Sequence, residues 1–201
     1  MRYDHAIVAK RRPVLDGSAA LVAAPSGVVW TTVYDVSATL NGTDDGDGNA
    51  DLTLLNVLKS AGLTASAGKA NARITVRFGS ASNNNGVPST FRFGQAAAAG
   101  DAYDFAGTPA TVTFPVTVTP GANAEYTSDS FALPENWDAT KNYVFAWFPG
   151  ATASHSITSA TLANTDGYFK AGGNDAATVN KTGYSPLATT GFFITKVEVS
   201  P

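Results

Sequence analysis

The segment "ARITVRFG", residues 72–79, places Ile74, Val76 and Phe78 on one side of an extended chain and Arg73, Thr75 and Arg77 on the other. Strict alternation with period two fits a half-buried strand and no helix. "ATVTFPVTVTP" repeats the pattern, with Val112, Phe114, Val116 and Val118 against Thr111, Thr113, Thr117 and Thr119. Pro115 falls in the outward register and lacks an N–H, so this strand belongs at an edge or carries a bulge. "VVWTTVYDV" puts Trp30, Thr32, Tyr34 and Val36 on one side. "NYVFAWFPG" is apolar on both sides, as expected of a central strand covered on two faces. "GFFITKVEVS" reads as a closing strand, and residues 90–94, 129–133 and 156–163 as shorter ones. The faces so defined predict burial of Ile74, Val76, Phe78, Val112, Phe114, Val116, Phe145 and Trp147.

Helical signal is scarce. "ADLTLLNVLKSAG" has leucines at 52, 55 and 58 that fit a helical stripe with Gly62 as a stop, and fits an irregular strand pair nearly as well. Eight to ten short strands separated by turn residues predict an all-β chain, an antiparallel β-sandwich of jelly-roll type. Charged residues are 14% of the 201, against ~25% in an average domain, and Thr, Ser, Asn, Gly and Ala supply the turns and the neutral surface.

Residues 1–24 differ from the rest. They hold Arg2, Lys10, Arg11 and Arg12 against Asp4 and Asp16, and their apolar residues keep no period. The remaining residues carry nine basic and fourteen acidic side chains, so an arm of net +2 precedes a body of net −5. The expected organisation is an N-terminal arm over 1–24 and a sandwich over 25–201, with Lys10, Arg11 and Arg12 docking the arm onto a partner, either another kind of subunit or a second copy; an arm folded back along its own sandwich is the alternative. A net charge of −3 argues against a general nucleic-acid binder. No apolar run approaches the ~18 residues of a membrane span. "SAALVAAP" is preceded by Lys10, Arg11, Arg12, Pro13 and Asp16 and makes a poor signal-peptide core. The expectation is a chain made in the cytoplasm. The absence of cysteine removes disulfides and thiolate chemistry.

Chemical motifs are few. In "NGTDDGDGNAD", Asp45, Asp47, Asn49 and Asp51 alternate as oxygen ligands of calcium can. Counted from Asp45, however, position six is Ala50 and position twelve Asn56, so the EF-hand template fails and a solvated turn is the competing reading. His5 and His155 are the two histidines, far apart, and no serine sits in a nucleophile elbow. Glu125, Glu135 and Asp138 read as loop residues, not as a facing carboxylate pair. No enzyme is expected, and no cofactor beyond that calcium reading. Trp137 in "LPENWDATKNY" and Tyr168 in "TDGYFKAGG" read as loop aromatics near Asp and Asn, the residue types that hold sugars; packed-down lids are the alternative. In "GDAYDFAGTP", Tyr103 and Phe105 share a parity, and Asp101 and Asp104 close turns or join a sugar site.

The succession "ITVRFGSAS", "FRFGQAAAAGDAYDFAGTPATVTF" and "SDSFALPENWDATKNYVFAWFPG" resembles a β-sandwich domain of virion proteins from tailed bacteriophages, prophages and gene transfer agents. The resemblance covers residues 73–150. It implies a fibre, spike, decoration or receptor-binding part, located in the virion and released by lysis, and brings no catalytic residues. The expected function is therefore a non-enzymatic virion structural protein. The alternative is a carbohydrate-binding module for host attachment, and a polysaccharide esterase or depolymerase is the weaker third.

Overall fold

A computed structural model describes residues 27–39, 44–45, 52–77, 90–115, 125–148, 157–187 and 190–201. The arm, and with it Lys10, Arg11 and Arg12, lies outside these residues.

The described chain is nearly all strand. A five-stranded antiparallel sheet contains β1 (Thr31–Asp35), β14 (Ile194–Ser200) and β4 (Asn71–Arg77) in that order. β7 (Glu125–Thr127) and β8 (Phe131–Ala132) share the far edge of β4. A six-stranded sheet runs β12 (Ser185–Leu187), β11 (Thr165–Ala171), β3 (Leu52–Leu58), β9 (Tyr143–Phe148), β5 (Thr90–Gln95), β6 (Ala110–Val112). A small third sheet joins β13 (Thr190–Phe192), β10 (Ile157–Thr161) and β2 (Asp44–Asp45). The chain passes between the two large sheets from β1 to β3, β3 to β4 and β4 to β5, and again from β6 to β7 and β8 to β9. This is the wrapping of a jelly-roll-like sandwich.

The inner faces meet in one core. Ile74 and Val76 from β4 and Val197 and Val199 from β14 pack with Phe91, Phe93, Tyr143, Phe145 and Trp147 from the other sheet. Trp147, Tyr143, Phe93 and Phe145 are each under 2% exposed, and burying one such side chain is worth roughly 1.5–3 kcal/mol. Ile74, Val76, Val112, Phe145 and Trp147 are buried as their parity requires, and Phe114 is partly buried against the same core. Phe78 and Val116 lie outside the described residues.

Three strands refine the sequence reading. Leu52–Leu58 is a strand buried at every position, because it lies between β11 and β9 with both faces covered. Continuous burial, not helical spacing, explains its leucines. β9 is central and buried on both faces as expected. β1 departs from simple alternation: its register shifts between Thr32 and Tyr34, so Val33 and Tyr34 are both buried while Thr32 is exposed. A bulge inserts one residue and turns the following side chains over. β6 is the edge strand that Pro115 foreshadowed.

A second core lies on the outer face of the six-stranded sheet. Leu55, Val57, Val144 and Ala146 point there and are covered by Tyr103, Phe105, Ala176 and Tyr184. The cover comes from two loops, 96–109 and 172–184. The molecule is thus a sandwich with a third layer made of loops.

Candidate functional site

The two covering loops bring together three of the four residues expected to bind sugar. Loop 96–109 follows β5, and its Ala96 bridges back to Phe105. Gly100 turns the chain at φ +99°. Asp104 Oδ2 accepts from the Asp101 backbone N–H at 3.1 Å, and the Asp104 N–H donates to Asp101 O at 2.9 Å. The Tyr103 hydroxyl donates to Asp101 Oδ2 at 2.9 Å. Loop 172–184 is pinned to the sheet by Thr53, whose hydroxyl donates to Gly173 O and accepts from the Asp175 N–H at 2.9 and 3.1 Å. The loops are then tied to each other. The Phe105 N–H donates to Val179 O at 3.0 Å, and Asp104 Oδ1 accepts from the Lys181 N–H at 2.6 Å.

At the centre of this clasp Tyr103 packs edge-on against Tyr168 with centroids 4.9 Å apart, and against Tyr184 at 5.0 Å. Tyr168 is on strand β11, not in a loop, and is half-buried. Beside it Lys59 and Asp166 pair at 2.8 Å. Burial raises the pKa of the Tyr103 and Tyr168 hydroxyls, Asp101 adding to the effect at both. These phenols stay protonated at neutral pH and act as hydrogen-bond donors and packing surfaces. Lys181 is 1% exposed. Its ammonium donates to Thr178 O and sits 3.7 Å from the centroid of the Phe105 ring. Burial lowers its pKa to about 8, with Asp104 and Asp175 opposing the shift.

Trp137 does not belong to this cluster. It is 4% exposed, stacked on Tyr143 at 4.3 Å within the inner core, and its indole N–H donates to Thr64 O at 3.1 Å. The ring has no free face for a sugar, and the expectation that it stacks one is corrected. Asp104 is 7% exposed with both carboxylate oxygens engaged by the loop, so it is a loop fastener and not a ligand group. Asp101 is exposed and Tyr168 keeps part of its surface open.

The Asp-rich segment is described only at its start, where the backbone of Asp45 pairs with Ile157 in the small sheet. Asp47, Asn49 and Asp51 lie outside the described residues, as do His5 and His155. Among the described residues no three His, Cys, Asp or Glu side chains group as a metal site, and no described helix is long and apolar enough to cross a membrane.

A concave site that sequence reasoning missed lies at one end of the sandwich. A pocket of about 300 Å³ is lined by Gly94, Gln95, Gly107, Leu133, Glu135 and Tyr143 among others. Tyr143 contributes an edge, since its ring is stacked between Trp137 and Phe93. Its hydroxyl accepts from the Asp138 N–H at 2.8 Å. Glu135 at the rim is exposed. The "LPE" and "AGTP" stretches give a sequence-level hint of two Pro-bearing turns, but their meeting depends on the pairing of β5 with β9. No protein-family model matches the chain, and no curated protein matches it significantly.

Proposed function

We propose that the chain is a non-enzymatic structural protein of a phage or phage-like particle, a head decoration or a fibre or attachment component. Its sandwich body is displayed on the particle and its residues 1–24 dock it to other virion subunits or to a second copy, with Lys10, Arg11 and Arg12 meeting acidic groups. The observation that carries this reading is the use made of "GDAYDFAGTP", part of one of the three stretches on which the resemblance to virion proteins rests. Tyr103 and Phe105 are buried in the second core, and Asp101 and Asp104 are spent on internal bonds. A motif consumed by packing belongs to the build of the body, in keeping with a resemblance in sequence to structural parts of particles. Electron microscopy of native particles tests the reading directly, together with a chain lacking residues 1–24. The expected result is a folded body that no longer joins the particle; normal incorporation of the shortened chain overturns the docking role.

Attachment to a host glycan is the second reading. It is favoured by the half-open Tyr168 beside exposed Asp101 and the Lys59–Asp166 pair, an aromatic surface ringed by polar groups. A glycan array run with the native chain and with Tyr168→Ala separates the two. Binding that disappears with Tyr168→Ala supports attachment, and an empty array leaves the purely structural role.

A further inference from the structure

The pocket at Glu135 suits the basic arm in chemistry, and the described chain that follows the arm begins at the same end of the sheet. The pocket walls are more apolar than polar, from Leu133, Pro134, the Tyr143 edge and the methylenes of Gly94 and Gly107 beside Gln95 and Thr108, and among the described residues Glu135 is the one charged residue lining it. A pocket with mainly apolar walls and an exposed carboxylate among its lining residues fits a lysine or arginine side chain, whose stem buries while its head stays at the rim. The chain supplies such groups at Lys10, Arg11 and Arg12, followed by Pro13, on an arm of net +2 before a body of net −5.

The strand register puts the start of the described chain near the pocket. Thr31 pairs with Val199, Val199 with Ala72, and Ala72 with Phe131. These four residues form one row across the sheet. Three strand spacings separate Thr31 from Phe131, roughly 14 Å. β1 and β8 run in opposite directions, so residues 27–30 leave the sheet at the same end as Leu133, Pro134 and Glu135. The Leu133 N–H donating to Ala70 O at 2.8 Å continues that edge. Trp30 lies under the Arg73 guanidinium at 4.6 Å, which holds the approach to β1 against the sheet. The nineteen residue-to-residue steps from Arg12 to Thr31 can span up to about 60 Å, several times the ~14 Å across the sheet.

We infer that in the free chain residues 10–13 seat in the chain's own pocket, with Lys10 against Glu135. The inference concerns the isolated chain and holds or fails independently of the particle reading. In an assembly, a docking partner must compete with this contact.

Two measurements on the full-length chain test it. Carbodiimide coupling followed by peptide mass spectrometry is expected to link Lys10 to Glu135 in the monomer band. The charge swap Lys10→Glu with Glu135→Lys is expected to restore the link with its partners exchanged. Trypsin cleavage after Lys10 and Arg11, at low salt, is expected to accelerate about fivefold in Glu135→Gln, as loss of an exposed ion pair allows. Circular dichroism verifies that this surface variant is folded. A Lys10–Glu135 link found only between two chains overturns the inference, as does Lys10 coupling indiscriminately to other carboxylates. An unchanged trypsin rate in Glu135→Gln also overturns it.

Discussion

Lys181 carries an ammonium group in a space with almost no solvent, held by one carbonyl and an aromatic face. Its pKa of about 8, against 10.5 for a free lysine, means that the folded state holds the proton less tightly than the unfolded one. Below pH 8 both states are protonated and the full penalty, on the order of 3 kcal/mol, is present. Between pH 8 and 10.5 the folded state loses the proton first, so stability rises with pH. We predict that the native chain gains stability in urea titrations between pH 8 and 9.5, and that Lys181→Met abolishes the gain while being at least as stable at pH 7, as apolar replacements of buried charge often are. A matching slope in the variant would sink the assignment. Trp137 makes the complementary case. Trp137→Ala is expected to cost about 3–5 kcal/mol by chemical denaturation and to leave any glycan binding intact in the surviving folded protein. Both residues show where the sequence stops being legible. An aromatic ring in a loop and a lysine between glycines and asparagines look like surface groups, and only the tertiary closure of the loops decides which are covered.

At the scale of elements the sequence was far more readable, because alternation couples every side chain of a strand to one decision about its face. β4, β5, β9 and β14 follow from pattern alone. β1 was misread beyond Thr32 because a bulge leaves no mark in hydrophobic periodicity. The second break, Phe193 at φ +32° between β13 and β14, is equally silent; its ring packs against Phe145 and Trp147, which holds a conformation rare for a bulky residue. The covering loops depend on glycines whose need is local and specific. At Gly100 a Cβ would come within 2.8 Å of Asp104 Oδ2, at a φ that disfavours L side chains. Gly100→Ala is therefore expected to destabilise by about 1–2 kcal/mol and to loosen loop 96–109. Hydrogen exchange checks this: protection should fall at Ala97, Asp104 and Phe105 while β4 and β14 keep theirs. Uniform loss across the sandwich would mean that the loop is not a separable layer.

For the whole molecule, the described residues form two hydrophobic cores, and residues 1–24 lie outside the described residues. Deletion of those residues is expected to lower the melting temperature by no more than about 2–4 °C, the effect of ~1 kcal/mol in a domain of this size. Collapse of the transition in a calorimeter would instead make the arm a structural member of the sandwich. The β-sandwich class was visible from the strand patterns, whereas the loop layer and the Glu135 pocket were not, since each is made by segments distant in sequence.

The row of residues that brings Thr31 level with Val199 also fixes the other end of the chain. Ser200 pairs with Asn71, and the Asn71 side chain donates to Pro201 O, so residues 27–30 and Pro201 emerge at the same pole, together with the pocket. The opposite pole carries Asp35, Arg77 and Glu125. The body is therefore a polarised object, with a stem side and a crown side. A cargo fused after Pro201 would sit at the stem, and an epitope grafted beside Arg77 and Glu125 would face away from it.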